Sequence, residues 1–205
     1  MHERRSSPPP SVYCRDGGLR QDPIGGAHSS GYRHGGISMA DMADTPERFR
    51  VQGTDALLLG RRTYDIFAAY WPHQHDSFAT LFNTIPKYVA SRGTPDLLWN
   101  GSTQLGPDLA GAVREIRDRH DNIKVVGSLD LVQTLLREKL FDRLDLWVHP
   151  ILLGVGKKVF ADGTVPSNLT LLEPPAVDGK GTVYLRYGLD TGTPDVGNMD
   201  DVLTD

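Results

Sequence analysis

The chain of 205 residues has a single cysteine, Cys14, so no internal disulfide can staple it, which fits a reducing compartment. No run approaches the roughly 18 consecutive apolar residues of a membrane span. Ala56-Leu57-Leu58-Leu59 is only a strand-sized stretch. The opening Met-His-Glu-Arg-Arg-Ser-Ser-Pro-Pro-Pro lacks the apolar segment of a secretory signal. These absences lead to the expectation of a cytoplasmic chain with no membrane partner. There is also no excess of positive charge. Lys and Arg number 22 against 26 Asp and Glu, a formal net charge of −4, which disfavours a nucleic-acid partner. Familiar catalytic and nucleotide fingerprints are missing too. Gly154-Val155-Gly156 runs into Lys157-Lys158-Val159, which satisfies neither G-x-G-x-x-G nor Walker A. With no G-x-S-x-G elbow, and no evident base for Cys14, nucleophilic catalysis has no candidate.

What the chain has in excess is glycine and proline, 22 and 14 residues, crowded toward the front. Residues 1–15 are expected to be an atypical disordered segment, with Val12-Tyr13-Cys14 the only strand-like fragment. Residues 191–205 carry four Asp and no basic residue, and are expected to be a flexible acidic tail. Between them, 16–190 reads as one globular domain.

Within that domain short apolar runs alternate with amphipathic stretches. Asp55 to Leu59 predicts a strand closed by Gly60, followed by a helix through Ile66, Phe67 and Tyr70. Lys87 to Ala90 predicts another strand, ended by Ser91-Arg92-Gly93. Pro107-Asp108 predicts a helix start with Pro at the first helical position, Leu109, Val113 and Ile116 following at i, i+4 and i+7. Asp121-Asn122 is the expected end. Ile123 to Val126 is a strand, and Gly127-Ser128 leads into a helix bearing Leu131, Leu135 and Leu136. Leu144 to Leu153, interrupted by Pro150, then Leu169 to Leu172 and Thr182 to Tyr187 supply closing strands without an intervening helix. This order predicts an α/β sandwich with helices on both faces of a mixed sheet, antiparallel at its C-terminal edge.

One local device recurs. Leu59-Gly60-Arg61-Arg62-Thr63 and Val126-Gly127-Ser128-Leu129-Asp130 both end a strand in glycine and run directly into a helix. Glycine lets a phosphate approach the backbone, and the free N–H groups of a helix start bind its charge. Arg61 and Arg62 add charge-assisted donors, and a third strand end offers Ser91 and Arg92. Three such ends suit a dinucleotide across the carboxyl edge of a sheet, against the plainer reading of ordinary strand-to-helix turns. His73-Gln74-His75-Asp76 has metal-like spacing but no second ligand cluster, so a solvated loop is expected and no metal. Phe67, Tyr70 and Trp71 read either as core or, less often, as the lining of a pocket for a flat heterocycle.

Leu58-Leu59-Gly60-Arg61-Arg62-Thr63-Tyr64, Pro86-Lys87-Tyr88-Val89-Ala90-Ser91-Arg92 and Ile123-Lys124-Val125-Val126-Gly127-Ser128 resemble successive nucleotide-binding segments of dihydrofolate reductases. A closer resemblance is to the reductase half of the riboflavin-biosynthesis deaminase–reductase and its stand-alone bacterial relatives. It is carried by Gly127-Ser128 through Leu136, Phe141-Asp142-Arg143-Leu144, and His149-Pro150 through Val159-Phe160. The resemblance spans roughly Asp16 to Tyr187 and implies a dihydrofolate-reductase-like three-layer sandwich with a mostly parallel central sheet. It implies NADPH as cofactor, with Gly60, Arg61, Arg62, Thr63, Ser91 and Arg92 at its 2′-phosphate end. Gly127, Ser128, Leu129, Asp130 and Leu131 would hold the pyrophosphate. The implied reaction is hydride transfer to a small heterocycle, of the 5-amino-6-(5-phosphoribosylamino)uracil reductase type. A homodimer is the implied assembly, and Asp16 the implied catalytic residue, as proton donor or substrate anchor. Family members open on a long apolar strand, which here is replaced by Arg/Ser/Pro-rich sequence. Val12 to Arg15 is then either a stunted substitute or a sign of a displaced start. Two rivals follow: a non-catalytic nucleotide-binding module degenerate at its front, and a dihydrofolate reductase.

Overall fold

The computed structural model describes residues 53–151, 158–190, 192 and 194, together with the backbone of 11–15. Ala56–Gly60 forms β2, and all five residues are buried, as expected of a strand covered on both faces. Its alternate side chains face opposite layers. Ala56 and Leu58 join Val113, Ile116, Leu131 and Leu135 in one core, while Leu57 and Leu59 join Tyr64, Trp71 and Phe82 in the other. The first core is closed by α3 (Leu109–Arg117) and α4 (Leu129–Arg137). The second is closed by α1 (Arg61–Tyr70), the 3₁₀ turn Trp71–His73 and α2 (Ser77–Thr84).

The remaining strands are β1 (Ser11–Arg15), β3 (Lys87–Ala90), β4 (Ser102–Gln104), β5 (Ile123–Gly127) and β6 (Arg143–Val148). They are followed by β7 (Leu169–Leu171), β8 (Ala176–Val177) and β9 (Val183–Leu189). They build one sheet in the order β4-β3-β2-β5-β1-β6-β9-β7, with β8 also paired to β9. The six strands from β4 to β6 are parallel, and β9 turns the edge antiparallel against β6, β7 and β8. The mixed, mostly parallel sandwich expected from the sequence is what the chain adopts.

The front end requires a correction. Residues 11–15, inside the segment expected to be disordered, form β1, and β1 lies in the middle of the sheet. Val12 pairs with Val125 on one side and Leu144 on the other. Short though it is, the strand has backbone partners on both edges, along its whole length with β6 and at Ser11 and Val12 with β5. The substitute-strand reading of Val12 to Arg15 therefore holds. Asp16 and the Gly-rich stretch to Gly36 lie outside the described residues.

Smaller boundaries also shift. Pro107 precedes α3 rather than opening it, because the Asp108 carboxylate takes the N-cap position and accepts from Gly111 N at 3.0 Å. That helix stops at Arg117, with Asp118 as its C-cap, four residues before Asn122. The strand expected from Leu144 to Leu153 ends at Val148, before Pro150. Helix α2, absent from the sequence reading, is started by Asp76, which accepts from Phe78 N and Ala79 N at 2.8 and 3.0 Å. The metal-like His73-Gln74-His75-Asp76 is thus a capping segment. Trp71 is buried edge-on against Phe82, with ring centroids 4.9 Å apart, and half-buried Phe67 packs on the same core, whereas Tyr70 is 40% exposed.

Candidate functional site

Two glycine turns meet at the carboxyl edge of the parallel strands. Gly60 ends β2 and is the N-cap of α1; Gly127 ends β5, and Ser128 is the N-cap of α4. A register shift aligns them. Leu58 pairs with Val125, but Leu59 pairs with Gly127, so Val126 is an extra residue that carries β5 forward to the β2 turn. The peptide bond between Gly127 and Ser128 is cis.

The two turns are interlocked through their glycines. A Cβ placed on Gly60 would lie 2.4 Å from Ser128 Oγ and 2.8 Å from Ser128 N. A Cβ on Gly127 would lie 3.0 Å from Thr63 Oγ1, and the φ of 151° at Gly127 is one that side chains rarely adopt. Each turn thus occupies the space that the other's glycine leaves open. Thr63 and Ser128, singled out in the sequence as ligand contacts, are also the packing partners that hold the turns together.

The electrostatics differ between the helix starts. The N-termini of α2 and α3 are closed by Asp76 and Asp108, whereas α1 and α4 have no side-chain cap. The first turn of α1 also has no acidic residue, so no side chain of that turn offsets the positive end of its dipole. In α4 the exposed Asp130 sits in the first turn and offsets part of that field, while Leu131 is buried in the core and contributes only backbone.

The basic residues divide as well. Arg61 is held by Asp65, Nε to Oδ1 at 2.7 Å. Arg62 and Arg92 are exposed and form no ion pair among the described residues. They stand at neighbouring strand ends, since Gly60 of β2 pairs with Ala90 of β3. The Ser91–Gly93 turn is fixed by a mutual Ser91–Gly93 hydrogen bond pair and by Gln104 Nε2, which donates to Gly93 O at 2.6 Å. Gln104 was not singled out in the sequence; its placement depends on β4, a three-residue strand with no hydrophobic signature.

A second group, also missed, lies on the sheet face opposite Val125 and Leu144. Asp145 of β6 is fully buried and accepts from Arg186 Nε of β9 at 2.8 Å, with Arg143 Nε 3.6 Å away. Arg186 also meets Glu173 at 2.8 Å. Lys124 of β5 is buried on the same face. Burial drives its amine well below the ordinary lysine range, and Arg143 and Arg186 push the same way against the attraction of Asp145. Charged residues alternating with apolar ones in Arg143-Leu144-Asp145-Leu146 were the available signal. They indicate a strand with one apolar face, and only the neighbouring strands reveal that the other face is buried too.

Parallel strands with helices on both faces, and interlocked glycine turns at their carboxyl edge, define the dihydrofolate-reductase type of α/β sandwich. The chain belongs to the RibD C-terminal domain family, whose pattern matches residues 49–183. Membership places it among reductase-type domains. The uncharacterized protein YyaP of Bacillus subtilis (strain 168) is 27% identical over 139 residues, 65% of this chain and 73% of that protein. A putative riboflavin biosynthesis protein from Shewanella sp. PV-4 superposes with a TM-score of 0.61 at 17% identity, covering 89% of this chain and 99% of that one. A pyrimidine reductase-like protein from Corynebacterium diphtheriae gives 0.58 at 15% identity, covering 91% and 94%. Acinetobacter baumannii RibD gives 0.55 at 14% identity, and there this chain covers 58% of the longer protein. Among the described residues no helix is long and apolar enough to cross a membrane.

Proposed function

We propose that this chain is an NADPH-dependent reductase of the riboflavin-biosynthesis type, acting on a small heterocyclic substrate. The observation that carries this reading is the contrast among helix starts. The two that meet at the glycine turns are left uncapped, and the two elsewhere are closed by aspartates. A dianionic group is the proposed occupant of the α1 N-terminus, which has no side-chain cap and no acidic residue in its first turn. Arg62 and Arg92 would hold the 2′-phosphate, and the Ser128–Leu131 backbone the pyrophosphate. Thr63 and Ser128 keep the two turns in register for that contact. NADPH supplies the hydride when bound; the chain supplies position and charge. Asp16, which follows Arg15 in the sequence, is the proposed proton donor or substrate anchor. A homodimer and a cytoplasmic setting belong to the same proposal.

The reading is favoured over a non-catalytic module because β1 fills the central sheet position whose loss suggested one. It is tested by thermal shift with NADPH and NADH. Millimolar NADPH raises Tm, and Arg92→Ala weakens NADPH far more than NADH. No shift with either cofactor overturns the proposal. Equal weakening of both removes Arg92 from the 2′-phosphate site.

A further inference from the structure

The turn that follows β3 is held from the neighbouring strand. In the parallel pair β3–β4, Gln104 lies level with Val89, and Leu105 N donates to Val89 O at 2.9 Å. From that position the Gln104 side chain reaches past the end of β3. Its Nε2 donates to Gly93 O at 2.6 Å and to Ser91 O at 3.4 Å. These two carbonyls flank Arg92, so one amide group brackets the residue between them. Carbonyls only accept, which fixes the amide with its two N–H donors toward the turn.

Ser91 is committed to the same turn. Its Oγ accepts from Gly93 N at 3.2 Å and donates to Gly93 O at 3.3 Å. Gly93 carries no side chain. That leaves Arg92 as the residue whose exposed side chain makes no hydrogen bond or ion pair among the described residues.

Stability does not account for the bracket. Nothing lies within 4 Å of a Cβ placed on Gly93, so the turn is held by hydrogen bonds rather than by packing. The bond to Gly93 O is exposed, and water satisfies such a carbonyl nearly as well, so its net gain is small. Immobilising a glutamine is among the larger side-chain entropy losses. β4 itself has no buried residue that the bond would secure. What the bracket does supply is order on both sides of Arg92, which stands beside Arg62 at the next strand end because Gly60 pairs with Ala90.

We propose that Gln104 is a positioning residue for the 2′-phosphate. By fixing the backbone before and after Arg92, it sets the direction in which that guanidinium leaves the turn before the cofactor arrives. The inference rests on the reductase reading, in which Arg92 meets the 2′-phosphate. Ordering done in advance lowers the cost of binding, and only a cofactor that carries the 2′-phosphate gains from it. Gln104 thereby contributes to the choice of NADPH over NADH.

The test is fluorescence titration of the full chain with NADPH and NADH, in a double-mutant cycle with Arg92. Gln104→Met keeps the bulk of the side chain and removes its donors. It weakens NADPH about fivefold, the size expected when one side chain is ordered during binding instead of before it. NADH is unaffected. Gln104→Asn, too short to reach both carbonyls, shows the same selective loss. In an Arg92→Ala background, Gln104→Met has no further effect on NADPH. A merely structural role would weaken both cofactors alike. Equal weakening, an unchanged ratio of the two affinities, or a loss that adds to that of Arg92→Ala overturns the inference and leaves the reductase reading standing. A parent chain that binds both cofactors equally has no preference to set, which also overturns it. A parent chain that binds neither overturns both.

Discussion

Gly60→Ala is the substitution that most directly probes the interlock. Alanine is ordinarily tolerated or favoured where glycine has an unstrained backbone, by about 0.4–1 kcal/mol. At Gly60 the new methyl would lie 2.4 Å from Ser128 Oγ, 3.0 Å from Ser128 Cβ and 2.8 Å from Ser128 N. Rotating the serine hydroxyl relieves the first contact only. The backbone nitrogen cannot move without separating β2–α1 from β5–α4, both anchored by buried Leu59, Tyr64, Leu131 and Val132. The cost is that of overpacking, about 2–3 kcal/mol, or about 4–12 °C in Tm for a chain of this length. Ser128→Gly in the same background removes the Oγ and Cβ contacts but not the nitrogen, so it restores about half. Gly106→Ala, with nothing within 4 Å of its Cβ, is the control and stays within about 0.5 kcal/mol of the parent. The assay is guanidinium unfolding of the four proteins. A Gly60→Ala variant as stable as the control refutes the interlock, and full rescue by Ser128→Gly refutes the claim that the backbone is the obstacle.

Two further perturbations test buried charge. Asp145→Asn leaves Arg143 and Arg186 on a buried sheet surface with Glu173 as the acidic partner of Arg186, and costs about 3–5 kcal/mol in denaturant unfolding; a loss below about 1 kcal/mol shows that solvent screens the group. Lys87 is buried with its Nζ donating to Asn83 O at 3.0 Å and Asn100 O at 2.9 Å, and burial lowers it from 10.5 to about 8. Between those values the native chain has released a proton that the unfolded chain keeps. Stability therefore rises with pH across that window, by at most about 3 kcal/mol relative to Lys87→Met, and parallel pH profiles for the two proteins refute the shift. The neutral amine still has two N–H donors for its two carbonyls, so only its placement over the Trp99 ring, 4.5 Å from the centroid, loses attraction.

Much of the sheet was legible because its strands are short apolar runs closed by glycine or serine, and the helices following β2 and β5 have strong period. The hidden elements lack such signatures. Helix α2 reads Ser-Phe-Ala-Thr-Leu-Phe-Asn-Thr, where Thr and Asn blur the stripe, and its existence rests on the Asp76 cap and on burial of Ala79 and Phe82. Strand β4, Ser-Thr-Gln, has no buried residue and exists only as an extension of β3. β1 was discounted for its Arg/Ser/Pro-rich flank, yet pairing on both edges makes a strand without a hydrophobic run. At the site, residue type announced the glycines and arginines. It could not announce that Arg61 is engaged by Asp65 while Arg62 is not, because that depends on which side of α1 each leaves.

The positions of the polar groups divide the sheet by function. At its amino end the polar groups are tied into the fold. Asp55 accepts from Asp121 N and Asn122 N, Tyr88 Oη lies 2.8 Å from His120 Nε2, and Lys87 closes the end of α2. At the carboxyl end of β2 and β5 the opposite holds: the helix starts have no side-chain cap, and Arg62 and Arg92 form no ion pair among the described residues. An ordinary strand-to-helix turn has no need of both features. A cap would stabilise α1 by about 1 kcal/mol, and Asp or Ser at position 60 would supply one at the cost of colliding with Ser128. The proposed phosphate would supply the missing acceptor there, and Arg62 and Arg92, which form no ion pair among the described residues, stand beside the same strand ends. That combination of an uncapped helix start and nearby arginines is what the proposed nucleotide site at the carboxyl edge rests on.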